Sequence, residues 1–370
     1  MRRHVPTPFL RDGKQLAHYL LVAIACFVRP RSFVIAISQT GRRLLRALVA
    51  LGLVAWLANR VGVSAIIDEL EMAQAGMVLF ATLLLAVDGV AKACNWQQLL
   101  QRNTGDRWVP ISRVLVWFFA GGFIGAVVPS SASTDACRCV LAARALRGHA
   151  AACAASIVTL NALGWFTGSI LGLLGMTYLY VSRQLPLVLG PIALVFLFTL
   201  TVLPATYLLL AARREALMRF IARVGQRWPR LIHTLSKFVD ALLAFEHAHM
   251  RFPAFLLVTG IGLVAQAGMF AVTARAVGIE LPFAIWLVLV PLTRIVALIP
   301  VSIADFGLIQ AAHVWVLSLF GVAPWVSFAL SSLFAIEGLL IHSTLGAASF
   351  LVGGRANQAD FRLDGSGFVG

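Results

Sequence analysis

Charged residues are scarce in this chain: they make up 12% of its 370 residues, and only 15 of them are acidic. That scarcity excludes an ordinary soluble globular protein, which needs a charged surface. Hydrophobic residues account for 60% of the chain and the mean hydropathy is +0.89, values typical of a polytopic α-helical membrane protein. The net charge of +15 would suggest nucleic-acid binding in a soluble protein. In a membrane protein it reflects basic cytoplasmic loops, so we expect no nucleic-acid partner.

Cysteine is also rare, and the five cysteines show no metal-binding spacing. Cys137 and Cys139 are separated by a single residue and have no second pair to complete a site, so we expect neither a metal nor another cofactor. The sequence has no nucleophile elbow, phosphate-binding loop, HExxH motif or DxD pair. Asp135 and Arg138 are the only cluster suited to a glycosyltransferase or lipid-modifying enzyme of the membrane. An enzyme is therefore the weaker alternative.

Apolar runs predict an all-α polytopic membrane protein with about six full spans. The runs lie near residues 44–60, 76–98, 149–178, 187–212, 252–274 and 323–352. Two further apolar segments, 113–140 and 283–320, are interrupted by proline and polar residues. We expect each of them to form a re-entrant helical hairpin. The alternative is that they are ordinary kinked spans, which would give seven or eight crossings.

The two interruptions resemble each other and lie 171 residues apart, measured between their prolines. Each has a proline, a hydroxyl residue two positions later and an aspartate shortly after. These residues are Pro129, Ser131 and Asp135 in the first segment, and Pro300, Ser302 and Asp305 in the second. Broken helices survive in lipid only where protein or a polar cavity surrounds them. A matched pair in two halves points to a transport site, so we expect an inverted repeat whose hairpin tips meet near the midplane.

Basic residues set the orientation of the chain. Residues 1–46 contain nine lysines and arginines and the loop 213–251 contains eight. In the predicted topology about 25 of the 30 basic residues lie on one side of the membrane, and only Arg60, Arg183 and Arg275 lie on the other. The positive-inside rule then places both termini in the cytoplasm, and we expect the protein in the inner membrane of a bacterium. The first hairpin would enter from the cytoplasm and the second from outside.

The same patterns divide the chain into three regions. These are a basic cytoplasmic or interfacial extension (1–43), a transmembrane domain (44–353) and a tail expected to be disordered and cytoplasmic (354–370). The two halves of the transmembrane domain, 44–212 and 252–353, are joined by the basic amphipathic segment 213–250. We expect this segment to lie at the cytoplasmic headgroup layer, with a solvated linker as the alternative.

Two stretches resemble the signature motifs of a known family. They read Gly121-Gly122-Phe123, Val128-Pro129 and Asp135-x-x-Arg138 in the first half, and Ile299-Pro300-Val301-Ser302-Ile303 with Phe306-Gly307 in the second. They resemble the flippase-like membrane region of lysylphosphatidylglycerol synthases and their stand-alone relatives, over roughly residues 44–353. The glycines of the family's first motif are replaced here by serine, alanine and threonine. No segment of globular size remains for the aminoacyl-transferring domain, so the resemblance implies a stand-alone member.

The resemblance implies a translocase that moves a phospholipid or a polyprenyl-phosphate-linked glycolipid between leaflets. The alternative is a non-transporting partner or scaffold of a cell-envelope glycosyltransferase. An N-cap at Ser133 or Thr134 would present backbone amides that suit a phosphate. The candidate headgroup-binding residues are Pro129, Ser131, Ser133, Thr134, Asp135, Arg138, Arg294, Pro300, Ser302 and Asp305.

Other polar residues within the apolar runs have simpler expected roles. Asp88 and Lys92 are four residues apart on one predicted helix and should pair, and Asn161 should hydrogen bond between helices. A proton relay is a further hypothesis for energy coupling. Its members would be Asp305, His313 and Glu337.

Overall fold

The computed structural model describes residues 74–105, 108–127, 131–146, 149–224, 229–243, 252–297 and 308–363. These residues are helical almost throughout and contain no strand. Their α-helices are α1 (Ala75–Asn103), α2 (Ile111–Val127), α3 (Ser131–Ala145), α4 (Ala150–Val181), α5 (Gly190–Ala212), α6 (Arg214–Val224), α7 (Pro229–Leu243), α8 (Phe252–Ala276), α9 (Phe283–Val296), α10 (Leu308–Ser318) and α11 (Pro324–Leu363). A short 3₁₀ turn, Leu187–Leu189, precedes α5.

Within the described residues, five helical segments are long and apolar enough to cross a membrane. They are Gly76–Asn103, Ala150–Val181, Leu187–Ala212, Phe252–Ala276 and Val326–Gly346. These segments coincide with five of the six predicted spans, and the sixth, 44–60, lies outside the described residues. The prediction of an all-α polytopic membrane protein is therefore confirmed.

The C-terminal helix is longer than the sequence predicts. α11 continues to Leu363, through the first ten residues of the tail 354–370 that was expected to be disordered. This stretch contains no proline and includes good helix formers such as Ala356 and Gln358, so nothing in the local sequence ends the helix at Gly354. Residues 364–370 and the extension 1–43 lie outside the described residues.

Each interrupted segment is divided into two helices. The first segment forms α2 and α3, and the second forms α9 and α10. α2 and α3 lie side by side, because Arg138 donates from Nε to the carbonyl oxygen of Phe118 at 3.1 Å. The two residues lie about equally far from Pro129, one on each side, so the chain folds back on itself as a helical hairpin. The prolines of both interruptions lie outside the described residues.

The bundle is organised around an antiparallel pair, α1 and α8. Asn95, near the end of α1, donates from Nδ2 to the hydroxyl of Thr259, near the start of α8, at 2.8 Å. Towards the opposite ends, a methyl group on Gly268 would lie 3.3 Å from Leu84 Cδ1. The two helices cross where a methyl group on Gly262 would lie 3.2 Å from Ala91 Cβ, near the middle of both.

Helix packing in one half repeats that in the other. α1, α2, α3 and α4 correspond to α8, α9, α10 and α11. α2 contacts α3 and α11, and α9 contacts α10 and α4; the pairs α1–α2, α1–α4 and α3–α4 recur as α8–α9, α8–α11 and α10–α11. Because the equivalent helices α1 and α8 are antiparallel, the pseudo-two-fold axis that relates the two halves is roughly perpendicular to these helices. This arrangement is an inverted repeat.

Glycines allow α9 to approach α4 closely. A methyl group on Gly168 would lie 3.1 Å from Pro291 Cβ, and one on Gly175 would lie 2.7 Å from the carbonyl oxygen of Ala284. Small residues are common at such contacts because helix association in lipid depends on van der Waals packing and not on the hydrophobic effect. The close α4–α9 contact joins the two halves and fixes the position of α9 along Ala284 to Pro291.

The remaining helices are peripheral. α5 exposes large apolar side chains such as Leu194, Phe198 and Leu208 and buries only Ile192 and Phe196, as expected for a helix that faces lipid. α6 and α7 follow it in the predicted amphipathic segment, and buried Val239 and Leu243 of α7 pack against Tyr207 and Leu210 of α5. Arg214 and Asp240 form an ion pair of 2.6 Å between α6 and α7.

We predict that Gly175→Ala lowers the thermal stability of the purified protein in detergent. The added methyl group would lie 2.7 Å from the carbonyl oxygen of Ala284, and overpacking of this kind costs about 1–3 kcal/mol. The matched control is Gly338→Ala on α11, because nothing lies within 4 Å of its added methyl group. Equal melting temperatures for the two variants would contradict the close α4–α9 packing.

Candidate functional site

Charged side chains from both halves meet at mid-depth in the bundle. Asp88 and Lys92 lie one turn apart near the middle of α1 and form an ion pair, as the sequence predicts. Arg294, near the end of α9, places Nη2 3.7 Å from Asp88 Oδ1. Asp88 is only 3% exposed, so its carboxylate is stabilised by one cation from each half and not by water.

Besides its contact with Asp88 of α1, Arg294 is positioned by two further helices, α8 and α4. Its Nη2 donates to Gln266 Oε1 on α8 at 2.7 Å, while its Nη1 would lie 3.3 Å from a methyl group on Gly164 of α4. Its Nε is buried and has no hydrogen-bond partner among the described residues, and the same holds for Asp88 Oδ1. A guanidinium group offers five N–H donors, so Arg294 retains capacity to bind an additional acceptor.

A second ion pair lies on the first hairpin. Arg138 donates from Nη1 to Asp135 Oδ1 at 3.0 Å, and Asn161 of α4 donates from Nδ2 to Asp135 Oδ2 at 2.6 Å. The guanidinium carbon of Arg138 also lies 3.7 Å from the centroid of the Phe118 ring, a favourable cation–π geometry. The predicted interhelical role of Asn161 is thus observed, and α3 is fixed to both α2 and α4.

The two ion pairs belong to one group. Arg138 and Arg294 both lie close enough to Lys92 to act on it electrostatically, and Asp88 acts on Arg138 in the same way. We call the five charged residues the central cluster. They are Asp88, Lys92, Asp135, Arg138 and Arg294. The cluster contains three cations and two carboxylates, and so carries an excess of one positive charge.

Three members of the central cluster each lie against a glycine on a neighbouring helix. A methyl group on Gly121 would lie 2.6 Å from Arg138 Cγ, and one on Gly262 would lie 3.0 Å from Asp88 Oδ1. Gly164 plays the same part for Arg294. Because glycine has no side chain, the charged side chain of the neighbouring helix occupies the space that a larger residue would fill at each of these positions.

His342 of α11 borders the cluster on the side of the first hairpin. Its ring contacts Phe119 with centroids 6.1 Å apart, and Nδ1 is bonded to the carbonyl oxygen of Gly338 at 2.7 Å. It also lies within electrostatic range of Arg138, Lys92 and Asp88. No sequence motif marked His342 as part of this site.

The structure brings together some of the predicted site residues. Thr134, Asp135 and Arg138 lie on α3, and Ser131 and Ser133 belong to its first turn. Because α3 begins at Ser131, the predicted N-cap at Ser133 or Thr134 is wrong, and both residues are inside the helix. Pro129, Pro300, Ser302 and Asp305 lie outside the described residues.

The two predicted proton-relay residues that the structure describes, His313 and Glu337, hydrogen bond to different partners. His313 of α10 is bonded through Nδ1 to the hydroxyl of Ser331 at 2.6 Å. Glu337 of α11 accepts from the Thr273 hydroxyl at 2.8 and 3.0 Å. Both side chains are buried within the second half, and the relay through Asp305 stays a prediction.

Gln266 could have been found from the repeat. It lies 171 residues after Asn95, the spacing between the two prolines. The two amides therefore occupy equivalent positions on α1 and α8, and each forms a hydrogen bond with a residue of another helix. Asn95 bonds to Thr259, and Gln266 bonds to Arg294.

The fold and the central cluster define a polytopic helical membrane protein with inverted repeats and a charged centre. The family described as the lysylphosphatidylglycerol synthase transmembrane region matches residues 43–346. The chain belongs to this family, so the predicted resemblance to the membrane region of lysylphosphatidylglycerol synthases is confirmed. No curated protein and no solved structure matches the chain.

We predict that Asp88→Asn destabilises the protein by about 1–3 kcal/mol, because it leaves the partly buried cations Lys92 and Arg294 without their shared carboxylate. Adding Lys92→Met should recover part of this loss, since one of those cations is then removed. Thermal unfolding of the single and double variants in one detergent measures both effects. Asp88→Asn with wild-type stability would show that the carboxylate does not stabilise the cluster.

Proposed function

We propose that this protein moves an anionic lipid between the two leaflets, with the headgroup bound at the central cluster. The lipid is a phospholipid or a polyprenyl-phosphate-linked glycolipid. The observation that carries this proposal is the excess positive charge of the cluster at mid-depth in the bundle. The family is named after an enzyme whose product is a phospholipid, which agrees with a lipid substrate.

Charge complementarity supports an anionic ligand. An unpaired cation at the centre of a membrane span costs about 2.5–3.5 kcal/mol on insertion scales, so the excess charge of the central cluster favours a bound anion. Arginine and lysine are both common phosphate ligands, and arginine adds bidentate hydrogen bonding. Arg294 has a buried Nε without a hydrogen-bond partner in the described part of the chain, which fits the loss and gain of such a ligand.

The inverted repeat supports movement of that ligand. Arg138 comes from the interrupted segment of the first half, and Arg294 comes from that of the second. In transporters built from inverted repeats, one half moves relative to the other around a fixed site near the midplane. A headgroup held between Arg138 and Arg294 would face alternate sides of the membrane while its hydrocarbon chains stay in the bilayer.

The proposal includes the predicted orientation. The protein lies in the inner membrane of a bacterium with both termini in the cytoplasm, and the two hairpins are re-entrant from opposite faces. The tips contribute the remaining predicted headgroup contacts. These are Pro129, Ser131, Ser133 and Thr134 in the first hairpin, and Pro300, Ser302 and Asp305 in the second.

Reconstitution into vesicles tests the proposal. Fluorescent anionic phospholipid and polyprenyl-phosphate lipid are followed by leaflet-resolved quenching in vesicles with wild type, Arg138→Gln, Arg294→Gln or no protein. We predict that each variant slows translocation about tenfold or more, because a hydrogen bond to a charged group contributes about 1.5–3 kcal/mol. Arg275→Gln is the matched control, since Arg275 is exposed at the end of α8 and should keep the wild-type rate.

Thermal unfolding of the same variants separates binding from folding. The proposal requires that Arg294→Gln, which leaves Asp88 paired with Lys92, lose translocation at a melting temperature close to that of Arg275→Gln. Equal rates with all four proteins and with empty vesicles, for both lipid classes, would reject translocation. A non-transporting partner of another envelope protein would then be the better account.

A further inference from the structure

We infer that an apolar groove between α1, α4 and α8 holds a hydrocarbon chain of the lipid whose headgroup binds at the central cluster. This inference rests on the proposed function and deepens it, because it locates the part of the lipid that the central cluster does not contact. The groove has a volume of about 750 Å³ and is lined almost entirely by carbon atoms. Its walls include Leu84, Thr167, Gly260, Ile261, Gly268 and Phe283.

The groove opens towards the surrounding lipid. Leu257 and Ile261 at its edge are 66% and 51% exposed, and Phe283 at the start of α9 is also exposed. In a protein that spans a membrane, such a surface contacts hydrocarbon. A chain can therefore enter the groove sideways from the bilayer without passing through water.

On two helices, α1 and α4, residues that line the groove lie one turn from residues at the central cluster. Leu84 lies four residues before Asp88 on α1, and Thr167 lies three residues after Gly164, the residue that faces Arg294. Residues at these spacings are neighbours on one helix face. One lipid molecule can thus place its anionic group at the central cluster and a chain in the groove.

The length of the groove suits a path between leaflets. Its wall on α8 runs from Leu256 to Gly268, about 18 Å at the rise of an α-helix. This distance is more than half of the hydrocarbon thickness of a bilayer, about 30 Å. The wall is centred on Gly262, where α1 and α8 cross, so the groove crosses the level of the central cluster.

A missing side chain leaves the groove open and allows a sharp test. A methyl group on Gly260 would lie 3.8 Å from Thr167 Cγ2 and would meet nothing else within 4 Å. Gly260→Leu should therefore fill the groove without disturbing the bundle. Gly338→Leu is the matched control, because it adds the same side chain where nothing lies within 4 Å of the new Cβ.

Photo-crosslinking in vesicles measures occupancy of the groove. Three lipids carry a diazirine on a hydrocarbon chain: an anionic diacyl phospholipid, a polyprenyl phosphate and a neutral diacylglycerol. Each is reconstituted with wild type, Gly260→Leu, Gly338→Leu or Arg294→Gln, and labelled peptides from α4 and α8 are quantified. Labelling by the diacylglycerol reports ordinary contact with bulk lipid.

We expect the groove of the wild type and of Gly338→Leu to be labelled more by an anionic lipid than by diacylglycerol. This excess should fall about tenfold in Gly260→Leu, because leucine occupies the space that the chain needs. It should also disappear in Arg294→Gln, because the headgroup no longer anchors the chain. The anionic lipid with the larger excess identifies the chain as acyl or prenyl, and either result supports the inference.

Equal labelling by anionic and neutral lipids, or unchanged labelling in Gly260→Leu, would overturn the inference. If translocation is observed but the excess labelling is absent, the proposed function stands and the groove alone is rejected. If the excess labelling is present but no lipid is translocated, the groove is a chain site in a lipid-binding protein and the proposed function fails.

Discussion

Five charges placed in the middle of an apolar bundle set the main constraint on this structure. Each would be costly alone at that depth, so each must lie against an opposite charge or a hydrogen-bonding group. Asp88 contacts Lys92 on its own helix and Arg294 from the other half, while Asp135 contacts Arg138 and Asn161. Pairing these charges therefore requires α1, α3 and α9 to converge, with Asn161 of α4 and Gln266 of α8 supplying amide groups.

The repeat makes this convergence possible. The antiparallel pair α1 and α8 forms the centre of the bundle, and the interrupted segment of each half packs against a long helix of the other half, α2 against α11 and α9 against α4. Glycines allow the close contacts, since Gly121, Gly164 and Gly262 face members of the central cluster. The inverted repeat also places one arginine from each half, Arg138 and Arg294, in the central cluster. A site shared in this way is suited to binding a ligand that both halves release in turn.

The sequence predicts features that depend on local pattern. Apolar length predicts the spans, and a spacing of four residues predicts the pair Asp88–Lys92. The contact of Arg294 with Asp88 depends on tertiary packing between the halves, so no spacing reveals it. The start of α3 was missed because Ser131, Ser133 and neighbouring hydroxyl residues all favour a helix N-terminus, and sequence alone does not decide among them.

The central claim is that the excess positive charge of the central cluster binds the anionic group of a lipid. The most direct measurement is an experimental structure of the protein in nanodiscs that contain an anionic phospholipid. The account predicts density for a phosphate within hydrogen-bonding distance of at least two of the cations Lys92, Arg138 and Arg294, with Arg294 Nε now bonded. A well-resolved cluster in which these cations contact only protein groups, with no anion between them, would contradict it.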